Sequence, residues 1–218
     1  MKVLFLVIIA VISYLLGSLN FGVILSKKLE GDDVRNHGSG NAGTTNMLRN
    51  YGKKAAALTI IGDMLKVGVA IGIAFLILRL FTKMNAAQSL QIEPMLVKSF
   101  AGLFCVIGHI FPCFFNFRGG KGVATAGGMV FCIDWRIALI LLAVFIVIVM
   151  ITKYVSLGSI IMAILYPILI FAFYHTLFIT LVSFVFTLIV LIAHRQNIKK
   201  LISGTESKIN LKKKKEES

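Results

Sequence analysis

Arg118 and Lys121 stand among Gly119, Gly120 and Gly122, directly after the aromatic run Phe111 to Phe117, in the string GHIFPCFFNFRGGKGVATAGG at residues 108–128. Glycine lets a backbone approach a ligand and offer its N–H groups, and Arg and Lys bind phosphate oxygens. These residue types describe an anion site. Gly120-Lys121-Gly122 invites comparison with a nucleotide phosphate loop. That comparison fails, because the upstream glycine is missing and neither Ser nor Thr follows Lys121. Lipid or core packing accounts for the phenylalanines. His109 is either a polar residue satisfied inside the molecule or a working group, since an ionisable side chain in apolar sequence is costly.

Three further segments have the composition of a binding site. HGSGNAGTTNMLRNYG, from His37 to Gly52, gathers hydroxyls, amides and backbone donors at Ser39, Asn41, Gly43, Thr45 and Asn46, with Arg49 as a fixed charge. Gly43-Thr44-Thr45-Asn46 reads as a helix start with Thr or Asn as its cap and amides free to point at an anion. TKYVSLGS, from Thr152, offers Ser156 and Ser159, either to a substrate or to close helix packing. AHRQNIKKLISGTESK, from Ala193, offers His194, Arg195 and Asn197 where an apolar run ends. Interfacial snorkelling explains its lysines but not the His-Arg-x-Asn cluster. Asp63 and Lys66, at i,i+3 spacing, read as an ion pair on one helix face.

The elements that must position these residues are membrane helices. The chain has 218 residues, 58% hydrophobic and 15% charged, with a mean hydropathy of +0.91. Apolar stretches of spanning length recur from end to end, which predicts an all-α polytopic bundle. The expected spans are near 3–25, 54–81, 95–115, 121–133, 136–152, 156–173 and 177–193, the fourth being short and glycine-rich. The first lacks a cleavage site and reads as an uncleaved helix rather than a signal peptide. Seven spans put Lys27, Lys28, Arg35, Arg49, Lys53, Lys54, Arg118, Lys121, Lys153, Arg195 and the lysine-rich tail on one side. Lys2, Arg79, Lys83, Lys98 and Arg136 fall on the other. By the positive-inside rule the C-terminus is then cytoplasmic and the N-terminus outside. The loop around Asn85 to Glu93 reads as external and polar. The net charge of +14 sits in short loops and the tail, which argues for anionic lipid and against nucleic acid. Cys105, Cys113 and Cys132 show no metal-ligand spacing and read as packing residues. Residues 1–205 form one integral membrane domain, followed by a basic cytoplasmic tail at 206–218.

In this order, GSGNAGTTNMLR, GHIFPCFFNFRGGKGVAT, KYVSLGS and HRQNIKKLISGTESK resemble the four motifs of the bacterial acyl-phosphate:glycerol-3-phosphate acyltransferases, the PlsY family. The resemblance runs from Gly38 to Lys208, and the family has Pro or another small residue where Ala42 stands. It implies an inner-membrane enzyme with its active site facing the cytoplasm. The enzyme would move a fatty acyl group from acyl phosphate to the 1-hydroxyl of glycerol 3-phosphate, the first acylation of phospholipid synthesis. It implies Ser39, Arg49, Lys121, His109 and His194 as catalytic residues. Asn41, Gly43, Thr45, Asn46, Arg118, Gly119, Gly120, Gly122, Ser156, Ser159 and Asn197 are implied around the substrates. No cofactor or metal is expected. The expected partners are the two substrates, membrane lipid and a hand-off from the enzyme that makes acyl phosphate, with a homodimer allowed.

The chemistry is compatible with these residues. The His-x4-Asp pair of soluble acyltransferases is absent, since Ala42, Phe114, Thr180 and Lys199 stand five residues after the four histidines. An acyl phosphate is already activated, so cationic stabilisation of the departing phosphate can replace leaving-group protonation. A transporter or channel for a phosphorylated solute is the rival reading. An intramembrane serine protease built on Ser39 is a weaker one.

Overall fold

The computed structural model describes residues 1–84 and 92–209. The expected external loop, apart from Ile92 and Glu93, and the tail from residue 210 onward lie outside the described residues. The helices are α1 (Lys2–Gly17), α2 (Phe21–Glu30), α3 (Thr44–Met84), α4 (Pro94–Ile110), α5 (Val123–Ile133), α6 (Trp135–Thr152), α7 (Val155–Tyr174), α8 (Leu177–Ala193) and α9 (Arg195–Ile202), with single 3-10 turns at Val34–Asn36 and Cys113–Phe115. The expected all-helical membrane bundle is what forms.

Five helical segments are long and apolar enough to cross a membrane: Lys2–Glu30, Thr44–Lys83, Pro94–Phe115, Trp135–Thr152 and Val155–Tyr174. A sixth is added when α8 and α9 are taken together across their 62° bend. Helix α5 has only 11 residues. At the rise of an α-helix that is about 16 Å, against a hydrocarbon core of about 30 Å. The seven expected spans are therefore not all matched by helices of crossing length. The outer surface is apolar nonetheless. Only Ile137 and Leu141 of α6 are buried, while Leu139, Leu142, Ile146, Val147 and Met150 lie exposed. Such a face is expected where lipid rather than water is the solvent.

The first expected span is broken. Helix α1 stops at Gly17, and the buried Asn20 restarts the chain as α2 by accepting a hydrogen bond from the Val23 N–H at 3.4 Å. Helices α1 and α4 cross in close contact on small residues. A Cβ at Gly17 would lie 2.0 Å from the Cys105 carbonyl oxygen, and one at Gly108 would lie 2.2 Å from that of Tyr14. This is the small-residue approach that membrane helices use in place of a hydrophobic driving force. One continuous core runs through α1, α3, α4, α5 and α6 to α8, with Phe5, Val67, Cys105, Met129, Ile137 and Ile170 among its buried members.

A second, smaller core of Val23, Val34, Ala42, Met47, Ala55 and Ala56 lies under the polar segment between α2 and α3. It gives that loop a packed floor. Helix α3 is interrupted at Gly52, whose φ of 80° and ψ of −175° leave helical space. The turn Thr44–Tyr51 is thereby set off from the long apolar remainder. At the other end of the bundle the Asp134 carboxylate caps α6. It accepts from the Arg136 N–H at 2.9 Å, from Arg136 Nε at 3.1 Å and Nη2 at 2.7 Å, and from the Tyr174 hydroxyl at 2.7 Å.

Candidate active site

Asn46 organises the first polar loop. It is buried, and its side-chain amide donates to the carbonyls of Val34, His37 and Asn41 at 3.0, 3.0 and 2.9 Å. Its Oδ1 accepts from the Ser39 N–H at 3.1 Å and from Asn50 Nδ2 at 3.0 Å. Asn41 forms a local turn, its Oδ1 accepting from the Gly43 N–H at 2.9 Å. Asn46 and Asn41 Oδ1 therefore shape the loop. Ser39 is displayed at the loop surface. No histidine among the described residues hydrogen-bonds its hydroxyl, because His37 pairs with Asp32 instead.

Helix α3 begins immediately after this loop. The N–H groups of Thr44 and Thr45 find no acceptor among the described residues, as the first amides of a helix do unless capped. Arg49 lies one turn beyond Thr45 on the same helix face. The expected helix start with open amides is thus present, with Gly43 rather than Thr or Asn preceding it.

Lys121 reaches the far end of the chain. Its ammonium donates to Asn197 Oδ1 on α9. Asn197 Nδ2 in turn donates to Glu206 Oε1 at 2.7 Å, and the Ser156 hydroxyl donates to the same oxygen at 2.7 Å. The half-buried Lys121 feels Arg49 and Lys200 as well. Burial holds its ammonium below the ordinary lysine value, Glu206 opposes that shift, and Lys200 and Arg49 add to it. One carboxylate thus accepts from two side-chain donors beside Lys121, while Arg49 and Lys200 act on that lysine as like charges. Such a constellation can take a phosphate. The strand of chain bearing Glu206 is held down further on, where the Ile209 N–H donates to the Lys153 carbonyl at 2.8 Å.

His194 is buried at the α8–α9 bend beside this cluster. Its Nδ1 donates to the Val190 carbonyl at 2.8 Å, which leaves Nε2 as the acceptor. Arg195 points away and is exposed. Ser159 does not join the cluster. Its hydroxyl bonds back to the Val155 carbonyl at 2.9 Å, so of the two serines in its motif only Ser156 reaches Glu206.

His109 is placed inside the bundle rather than at this surface. Its Nδ1 lies 2.9 Å from Lys66 Nζ and 3.3 Å from Asp63 Oδ1, all three side chains being buried. Gly119 and Gly120 fold back on the end of α4, their N–H groups each 3.2 Å from the carbonyls of Ile110 and His109. Gly122, at φ 80°, precedes α5. The Arg118 side chain is exposed, and its carbonyl is held by another residue altogether.

That residue is Arg35, which sequence reasoning counted only as a loop charge. Its Nη1 donates to the carbonyls of Phe115 at 2.8 Å and Arg118 at 2.7 Å, and Nε and Nη2 pair with Asp33 at 2.9 and 2.7 Å. Arg35 thereby ties the first glycine-rich segment to the second. The available signal was the Asp-x-Arg spacing at 33–35. Glu206, left without a role by the sequence, is the first carboxylate in the basic stretch after α8. Among the described residues no group of three His, Cys, Asp or Glu side chains converges on a metal-sized site.

Comparison with known proteins places this geometry in context. The profile of the family described as Glycerol-3-phosphate acyltransferase matches residues 7–204. A glycerol-3-phosphate acyltransferase of Clostridioides difficile strain 630 is 42% identical over 98% of this chain and all of its own length. One from Bacillus subtilis strain 168 is 38% identical, covering 93% of this chain and 96% of its own. Among solved structures, PlsY (YgiH), an integral membrane glycerol 3-phosphate acyltransferase, in its glycerol 3-phosphate form superposes with a TM-score of 0.80. It shares 36% identity, with 94% of this chain and 96% of that chain covered.

Proposed function

The chain belongs to the glycerol-3-phosphate acyltransferase family, and on that premise we propose that it takes its acyl group from acyl phosphate. The 1-hydroxyl of glycerol 3-phosphate receives it, giving lysophosphatidic acid and inorganic phosphate. The observation that supports this best is the linked set of donors around Lys121: its ammonium meets Asn197, Asn197 and Ser156 donate to Glu206, and Arg49 and Lys200 act on Lys121 as like charges. Two phosphate-bearing substrates need such a set of cations and neutral donors. An acyl carrier or a nucleotide thioester offers no comparable phosphate at the reacting carbon.

In this reading the glycerol 3-phosphate hydroxyl oxygen attacks the acyl carbonyl carbon, and the bond from that carbon to the phosphate oxygen breaks. Lys121 and Arg49 hold the two phosphates and offset the charge on the departing one. Ser39, Thr45 and the open amides of α3 orient the hydroxyl and the carbonyl oxygen. The hydroxyl proton passes to His194 or to the departing phosphate. An acyl-serine is not required, and the lack of a histidine partner for Ser39 fits direct transfer. The site opens on the cytoplasmic face of a bacterial inner membrane, where acyl phosphate is handed over by the enzyme that makes it.

Purified protein offered acyl phosphate, acyl-CoA and acyl carrier protein donors in parallel should turn over only the first. Comparable rates with acyl-CoA would remove the donor assignment. Ping-pong kinetics, or an acyl group trapped on Ser39, would remove direct transfer.

A further inference from the structure

Lys66 Nζ lies 2.9 Å from four polar atoms: the carbonyls of Gly17 and Leu19, Asp63 Oδ1, and His109 Nδ1. The three oxygens can take the three protons of an ammonium, and His109 Nδ1 also lies 3.3 Å from Asp63 Oδ1, so that edge of the ring is fixed against both Lys66 and Asp63. The opposite side of the ring is its Nε2 edge. That edge of the imidazole faces Gly120. A Cβ built on Gly120 would sit 2.2 Å from His109 Nε2, 3.0 Å from Cε1 and 3.2 Å from Cδ2. Gly120 is not among the residues with positive φ, so its backbone would accept any amino acid. Glycine stands there because the imidazole already fills the side-chain space. The next residue is Lys121.

The two ends of this assembly do different things. Lys66 satisfies carbonyls left open where α1 stops, in the middle of an apolar bundle where water cannot. His109 carries that fixed point across to the glycine segment. We propose that Asp63, Lys66 and His109 are positioning residues that seat Gly120, and through it Lys121, for phosphate binding, and that His109 is not the base that takes the substrate's proton. Its Nδ1 edge is held against Lys66 and Asp63, and the ring is buried with its Nε2 edge against Gly120. This rests on the reading above that Lys121 binds a substrate phosphate.

The experiment compares His109→Asn, Gly120→Ala and the double variant with the parent. The asparagine oxygen can still accept from Lys66, but its shorter side chain empties the space beside Gly120, which the alanine methyl then refills. Each single variant should raise the KM for glycerol 3-phosphate by about tenfold and leave kcat within about threefold. The pH profile of kcat should be that of the parent, and the double variant should recover most of the lost KM. Thermal unfolding in detergent should show the same cycle, with the double variant above Gly120→Ala alone.

A base role for His109 predicts instead a kcat loss of about a hundredfold or more, a missing limb in the pH profile, and no rescue by alanine. A role confined to bundle stability predicts less active protein at unchanged KM. Either result overturns the proposal. If His109→Asn does not fold, Gly120→Ala alone decides, since a parent-like KM there rules out the steric seat. The thermal cycle needs no turnover, so a parent inactive with acyl phosphate defeats the functional reading while a failed cycle in active protein defeats only this one.

Discussion

Lys121 is drawn partly out of water, with Arg49 and Lys200 close by and one carboxylate to offset them. On the proposed reading an arriving phosphate relieves that like-charge crowding, and binding and catalysis would both depend on this side chain. Lys121→Ala is expected to lower kcat/KM by about a hundredfold or more, as loss of a charge-stabilising donor does. Parent-like kinetics in that variant would show that phosphate is held elsewhere. Glycerol 3-phosphate should also raise the thermal midpoint of the parent, by mass action worth about 2.7 kcal/mol at a hundred times its Kd. It should leave Lys121→Ala nearly unmoved, and equal shifts in the two proteins would separate Lys121 from the ligand. A different logic governs the Asp33–Arg35 clamp. The hydrogen bond from Arg35 holds the Asp33 carboxyl down at about 2, against an ordinary value of 3.8 and against its partial burial. A carboxyl lowered on folding stabilises above its ordinary value and loses that contribution as pH falls through the folded one. The gap in thermal midpoint between the parent and Asp33→Asn should therefore be flat from about pH 8 to 5 and close below about pH 4. A gap that opened on acidification would reverse the assignment.

Helix type was legible because apolar runs of spanning length leave few alternatives, and the span expected at 177–193 is α8 to the residue. What the sequence hid was where runs break. Residues 3–25 read as one apolar pass, yet the chain stops at Gly17, because Lys66 on α3 satisfies the open carbonyls that a helix end would otherwise strand. That contact joins residues far apart in the chain, and no local pattern announces it. Ser156 and Ser159 show the same limit. Helix α7 is apolar nearly all round, so nothing in its periodicity says which serine faces Glu206 and which bonds back to Val155. The glycines were similarly mute about purpose. Gly108 faces the Tyr14 carbonyl at a distance no Cβ tolerates, whereas a Cβ at Gly68 on α3 would meet nothing within 4 Å. Gly108→Leu should force α1 from α4 and abolish recoverable folded protein. Gly68→Ala should be as stable as the parent or slightly more so, since alanine is the better helix former. Similar yields of both variants in detergent would deny the close α1–α4 crossing its importance.

At the scale of the molecule, two polar clusters mark two ends of the bundle. Lys121, Asn197, Ser156 and Glu206 meet at one, where α7 begins and α8 finishes. Asp134, Arg136 and Tyr174 meet at the other, where α7 finishes. Helix α5 connects them, running from just after Lys121 to just before Asp134. Its 11 residues are short for a membrane span. A crossing at α5 would keep the basic loops on one side, since without it Lys153 and everything after it would change sides. Orientation is therefore testable with single cysteines in a background free of Cys105, Cys113 and Cys132. A membrane-impermeant maleimide added to intact cells should label Trp135→Cys and His175→Cys, and should reach Lys28→Cys and Ser203→Cys only after permeabilisation. Trp135→Cys reports most directly whether α5 passes through, and His175→Cys and Ser203→Cys must agree with it by parity. Protection of Trp135→Cys and His175→Cys along with Lys28→Cys, with Ser203→Cys labelled in intact cells, would make α5 re-entrant. The cytoplasmic assignment of the Lys121 cluster would then have to be rebuilt from α8 alone.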